Sequence, residues 1–178
     1  VSISKDMTKW VEEEMAFREE TRKDSLTGAL TRKHGERELE HLFASNGDNG
    51  PISLAIVDID YFKRVNDTWG HATGDEVIQL VATAMINSVR STDFVVRWGG
   101  EEFVIVMNQC SLASASIMLE RCCNAISKIS HPKVGVITVS VGLAQKASGE
   151  MPHELIKRAD IALYQAKAEG RNRIVKSD

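Results

Sequence analysis

The sequence has 178 residues, 43% of them hydrophobic and 26% charged, with a net charge of −3, which fits one ordinary globular domain with a real core and excludes a disordered chain. An acidic balance argues against a duplex-binding protein, which would need basic excess to neutralise phosphates, so no nucleic-acid partner is expected. The three cysteines, Cys110, Cys122 and Cys123, lack CxxC spacing and exclude a disulfide framework; no apolar run is long enough to cross a bilayer and no signal peptide is evident, so the expected setting is the reducing cytoplasm without membrane contact by this segment.

The chain starts at Val1 rather than Met, which suggests a fragment with a missing upstream part. Residues 4–23 read as one helix, with Ser4 as N-cap and a thin apolar stripe of Met7, Trp10, Val11 and Phe17. Glu14–Arg18 and Glu19–Lys23 are acid-before-base pairs at i,i+4. Glu14 breaks the stripe, which suits an exposed helix resting on the domain or, better, the end of a coiled-coil stalk from an upstream sensor. The chain therefore divides into a linker or stalk helix over 1–23 and a domain over 24–178.

Asp24-Ser25-Leu26-Thr27-Gly28 ends the helical pattern, a second helix is predicted over 32–43, and 46–51 is a loop. Leu54–Ile59 is an apolar run of strand length that ends in acids, and a long helix follows over about 74–90. Two short strands, 94–98 and 103–107, flank Gly99-Gly100. Apolar residues at 112, 115, 119, 122, 126 and 129 mark one face of a helix, and Cys122 falls on that face, where packing accounts for it. Alternation of Ile137, Val139, Val141 and Leu143 with small polar residues marks a strand. A helix from Pro152 to Glu169 stops at Gly170, and 173–175 form a last strand. Strands and helices interleave, so the class is α/β or α+β around one central sheet.

Two acidic sites carry chemistry. Gly99-Gly100 as a two-residue connection suits a primed turn with positive φ, in a register that sets Trp98 against Glu101 and Arg97 against Glu102. Alone, this reads better as an ordinary charged hairpin on the surface. Asp58 and Asp60, at the end of the Leu54–Ile59 run, share a face with Leu54 and Ile56 by period two. Carboxylates there are costly unless paired or bound to a cation, and Mg²⁺ suits one or two such oxygens together with water and phosphate. Taken alone, the pair is equally two solvated acids in a loop.

In order and spacing, Asp58-Ile59-Asp60-Tyr61-Phe62-Lys63, Asn66-Asp67, Gly70-His71, Gly74-Asp75 and Gly99-Gly100-Glu101-Glu102-Phe103 resemble the GGDEF family of diguanylate cyclases. The likeness runs from Asp24-Ser25-Leu26-Thr27-Gly28 to Gly170-Arg171-Asn172-Arg173. It implies a palm-like central sheet of about five strands surrounded by helices, similar to adenylyl cyclase and polymerase palm domains. It also implies condensation of two GTP into cyclic di-GMP and two pyrophosphates across a homodimer, since one domain holds one GTP.

By that resemblance two Mg²⁺ ions, with Mn²⁺ as a substitute, are held by the Asp58 carboxylate, the Ile59 carbonyl and the Glu101 carboxylate. Glu101 is also the proton acceptor for the attacking 3′-hydroxyl, and Lys63 stabilises phosphate charge. Asn66 and Asp75 are matched to guanine, whose N1–H and N2–H₂ a carboxylate accepts. Phe62, Gly99 and Gly100 are matched to substrate contacts, and Lys167 and Arg171 to the triphosphate, although a helix C-cap also explains the last two. His71 is matched to a ligand contact or a structural role. Arg90 and Asp93, with Arg121, match a product site for cyclic di-GMP that inhibits the enzyme. Ala29 and Thr31 depart from the usual Leu and Asn. The alternative class is a non-catalytic receptor for GTP or cyclic di-GMP, which would lose Asp58 or Glu101; both are present. A cyclase that accepts ATP is disfavoured by Asp75.

Overall fold

The structure is a computed structural model that describes residues 2–20 and 22–178, with side chains over 4–16 and 22–178. Helix α1 (Ser2–Glu20) comes first, and its Met7, Trp10, Val11 and Met15 are all exposed. Phe17 of the predicted stripe, and Arg18 and Glu19 of the predicted pairs, lie outside the described side chains. The predicted helix reached Lys23, but Lys23 instead bridges Leu30.

The rest of the chain is built on one sheet. Its strands are β1 (Leu30–Thr31), β2 (Ile52–Ile59), β3 (Phe94–Arg97), β4 (Glu102–Asn108), β7 (Val139–Gln145) and β8 (Ile174–Lys176), in the order β1-β3-β4-β2-β7-β8. The inner four pair antiparallel, while β1 and β8 add parallel edges. Six strands stand where about five were expected. The two-residue β1 is too short to leave a periodic trace in sequence. A separate ribbon joins β5 (Ser130–His131) to β6 (Gly135–Val136).

β2 is buried along its whole length, which explains its unbroken apolar composition. Its Ala55, Val57 and Ile59 pack with α4 (His71–Ser88) and α5 (Leu112–Ser127). Ile52, Leu54 and Ile56 pack with Leu39 of α2 (Arg32–Asn46) and with Leu155, Ala159 and Leu163 of α6 (Pro152–Ala168). Alternation on a strand thus feeds two cores. The α5 stripe buries Ala115, Leu119, Cys122 and Ile126, as its spacing predicts. Gly142 of β7 is obligatory for α6. A Cβ there would lie 2.0 Å from the Ala159 carbonyl oxygen and 2.3 Å from the Leu163 nitrogen.

The long helix expected over 74–90 is longer at its start and shorter at its end. Helix α3 (Phe62–Trp69) and then α4 cover 62–88, separated by Gly70 at φ 86°. α3 escaped prediction because Tyr61, its N-cap, is left-handed at φ 55° and offers no side-chain cap. Arg90 does not end the helix but lies in the turn beyond it. The two departures from the family pattern have local roles: Ala29 is buried and Thr31 caps α2 through the His34 amide.

Candidate active site

Asp58 ends the buried part of β2 on the α6 side, where Lys167 from the last turn of α6 donates to its Oδ2 at 2.5 Å. Across the ladder Asp58 lies opposite Glu102 and Ser140. Burial pushes the Asp58 carboxyl above its usual range, and the bond and charge of Lys167 only partly oppose this. Burial also pushes Glu102 up, and the neighbouring charge of Asp58 adds to it. Two half-buried carboxyls that both lie above their usual range favour a cation between or beside them. Glu102 carried no role in the sequence reading. The signal that would have found it is its register opposite Asp58.

The Gly99-Gly100 connection differs from the primed turn. Arg97 pairs with Phe103, and the Trp98 and Gly99 amides both donate to the Glu102 carbonyl, at 2.8 and 3.0 Å. Trp98 therefore faces Glu102 rather than Glu101, and neither glycine has positive φ. The longer connection leaves Glu101 at the tip, where its carbonyl accepts from the Ile59 amide at 3.3 Å. That bond sets Glu101 beside the end of β2. Among the described residues, the Glu101 carboxylate has no hydrogen bond or ion pair.

A cleft of about 500 Å³ opens here and brings together Asp58, Ile59, Phe62, Lys63, Glu101, Lys167 and Arg171. The side chains of Lys63, in the first turn of α3, and Arg171 donate to no protein acceptor among the described residues, so the cleft holds two cations without a carboxylate partner there. Asp60 lines the same cleft but, unlike Asp58, is held by neighbouring protein donors. Its carboxylate accepts from Thr138 Oγ1 at 2.7 Å, Ser140 Oγ at 2.6 Å and the Asn172 amide at 3.0 Å. Among the described residues no three His, Cys, Asp or Glu side chains converge on one point. Asp58, Glu101 and one carbonyl are nevertheless a hard-oxygen set that fits Mg²⁺, which takes few carboxylates.

Other expected residues lie apart from this cleft. Asn66 on α3 sits against Gly74 on α4. Its Oδ1 is buried without a partner among the described residues, and a Cβ on Gly74 would come within 1.9 Å of it. Asp75 and His71 are exposed on α4. Gly99 and Gly100 are exposed at the hairpin tip. At the far end of α4, Asp93 accepts from the Arg90 amide, Nε and Nη2, each at 3.0 Å, and from the Asn108 amide at 3.1 Å. Arg90 Nη2 also reaches the Asn108 carbonyl. Arg121 is exposed on α5, with no hydrogen bond or ion pair to Arg90 or Asp93 among the described residues. No helix among the described residues is long and apolar enough to cross a membrane.

Known proteins resemble the chain over most of its length. Response regulator PleD of Caulobacter vibrioides is 40% identical over 159 residues, covering 85% of this chain and 35% of that protein. Diguanylate cyclase DosC of Escherichia coli is 38% identical over 169 residues, covering 90% and 36%. The chain thus spans about a third of the length of these relatives. The coiled coil and GGDEF domain of DgcB from Caulobacter crescentus, solved in complex with c-di-GMP, superposes with a TM-score of 0.92 at 32% identity, over 99% of this chain and 96% of that one. The family model "Diguanylate cyclase, GGDEF domain" matches residues 21–173, and with the palm-like sheet and the cleft at its centre this assigns the chain to the GGDEF family of diguanylate cyclases.

Proposed function

We propose that the domain condenses two GTP molecules into cyclic di-GMP and two pyrophosphates. The observation that carries this reading is the cleft itself. The carboxylate of Glu101, without a partner among the described residues, stands beside a buried Asp58, and Lys63, Lys167 and Arg171 supply the charge to hold a polyphosphate. Asp58, the Ile59 carbonyl and Glu101 would hold Mg²⁺, two ions per site, or Mn²⁺ in its place. When bound, the metal neutralises phosphate charge and acidifies the attacking hydroxyl. Glu101 accepts the proton of the 3′-hydroxyl, while Lys63 and Arg171 stabilise charge on the phosphates. Asn66 and Asp75 read the guanine edge, with Phe62, His71, Gly99 and Gly100 around the nucleotide.

One cleft holds one GTP, so two copies of the domain meet antiparallel, each hydroxyl attacking the partner substrate's α-phosphate. Residues 1–23 form the stalk that brings two copies together in the cytoplasm, driven by an upstream sensor. Its exposed Met7, Trp10, Val11 and Met15 support that role. Cyclic di-GMP binds back at Arg90 and Asp93, with Arg121, and inhibits.

Incubation with GTP and Mg²⁺ at high protein concentration, followed by product mass and pyrophosphate measurement, tests the reading. Product should form at a rate per monomer that rises with concentration. Glu101→Gln, folded by circular dichroism, should lose turnover by about a thousandfold or more, because ligand and base go together. A near-wild-type rate from that variant would overturn the assignment of Glu101.

A further inference from the structure

After Lys167, the chain leaves α6 through three consecutive residues of positive φ: Gly170 at 119°, Arg171 at 64° and Asn172 at 47°. Glycine adopts such angles freely, but arginine and asparagine need support from their surroundings. That support is visible. The Arg171 amide donates to the Ala166 carbonyl at 2.9 Å, and the Asn172 amide donates to Asp60 Oδ2 at 3.0 Å. Asp60 is itself fixed by Thr138 and Ser140 of the neighbouring segment.

The residue after Asp60 is the other half of the device. Tyr61 is left-handed at φ 55°, and its side chain stays in the open, 59% exposed. The Arg171 guanidinium lies over its ring, 4.9 Å from the centroid. The stack covers one face of the cation and leaves the N–H edges unused, since the Arg171 guanidinium donates to no protein acceptor among the described residues. A stacked guanidinium loses rotamer freedom before ligand arrives, so less is lost on binding.

We infer that Asp60 and Tyr61 are positioning residues. Together they hold Arg171 in a pre-set orientation over the cleft, for the polyphosphate of the nucleotide rather than for its base. This inference rests on the reading of Arg171 as a phosphate contact. It assigns neither Asp60 nor Tyr61 to the metal or to the chemical step.

The test is calorimetry with a GTP analogue carrying a non-hydrolysable α,β-methylene bridge, with GMP as the short-phosphate control, in the presence of Mg²⁺. Arg171→Ala should weaken the analogue about tenfold or more, the loss of a charge-assisted contact, and leave GMP nearly unchanged. Tyr61→Leu, an exposed substitution, should weaken the analogue about two- to tenfold, the scale of a cation–π contact. GMP should again be unchanged. Tyr61→Phe keeps the ring and should restore the affinity. In an Arg171→Ala background, Tyr61→Leu should have no further effect. Asp60→Asn adds a second line, with the same loss confined to the analogue. If Arg171→Ala leaves the analogue untouched, the phosphate reading of Arg171 fails. If Arg171→Ala weakens it but Tyr61→Leu does not, or weakens GMP equally, the positioning inference fails and the phosphate reading stands.

Discussion

The guanidinium of Arg97 holds both carboxylate oxygens of Asp24, at 3.2 and 3.1 Å, and from its other nitrogen donates to the Gly100 carbonyl at 3.0 Å. Asp24 also accepts from the Thr27 amide and hydroxyl, closing the turn that follows α1. Burial opposes the charge on Asp24, but the bonds from Thr27 and Arg97 outweigh it and keep the carboxyl below its usual range. The entry to the domain is thereby tied to the hairpin tip that carries Glu101. Asp24→Asn should lower turnover about tenfold, with GTP affinity preserved, by loosening that tip. The double variant with Arg97→Met should be no worse than either single one, because one linkage is lost in each case. Steady-state kinetics on the three variants checks this.

Guanine recognition should depend on a residue that bears no functional group. Gly74 touches Asn66 so closely that Gly74→Ala must displace the amide. We expect a rise of about two- to tenfold in KM for GTP, the scale of one lost hydrogen bond. Asp75→Ser, by removing the acceptor pair for N1–H and N2–H₂, should narrow the preference for GTP over ATP. Competition assays between the two nucleotides read both effects.

Stability and product binding should separate at the turn after α4. The Asp93 carboxylate is 1% exposed and anchors two backbone amides along with Arg90. Asp93→Ala should cost about 2–4 kcal/mol, since buried donors lose their acceptor. Arg90→Ala, at a side chain 54% exposed, should cost under about 1 kcal/mol. It should nonetheless abolish high-affinity binding of cyclic di-GMP. Thermal melts and calorimetry on the two variants distinguish scaffold from ligand contact.

A pH dependence follows from Glu150 and Arg158. Arg158 Nε and Nη2 donate to the two oxygens of Glu150, at 2.7 and 2.9 Å, and the Ala147 amide adds a third bond. The hydrogen bond from Arg158 leads in holding the carboxyl below its ordinary value of 4.5. A depressed folded value means that the stabilisation is complete above the unfolded pKa and disappears as pH falls through the folded one. At pH 7 Glu150→Gln should melt lower than wild type by the equivalent of about 1–2 kcal/mol. As pH falls through the depressed folded value of Glu150, the two melting curves should converge.

Sequence periodicity was enough for the long elements, because β2, α5 and α6 bury regular faces. It failed where geometry is set by single residues. Tyr61 opens α3 without a capping side chain, and β1 is too short for any pattern. The Gly99-Gly100 pair invites a tight turn, yet the register belongs to Trp98 and Glu102, whose bond widens it. At the site, the family motif drew attention to Asp58, Glu101, Lys63, Lys167 and Arg171, which the cleft brings together. Strand alternation left Asp60 looking like a twin of Asp58. Their different fates depend on Thr138, Ser140 and Asn172, which are distant in sequence and converge only when β7 and β8 close on β2.

The strand β8 is three residues long and outermost in the sheet, and it begins two residues after Asn172. Short outer strands open locally far more often than a whole domain unfolds. Each opening of β8 would release the Arg173 carbonyl from the Val141 amide and the Ser177 amide from the Leu143 carbonyl, and with them the bend that presents Arg171. Apparent affinity for a polyphosphate is then the intrinsic affinity scaled by the fraction of time this edge is closed. By the same linkage, a bound polyphosphate suppresses fraying at a margin of the sheet that it never touches.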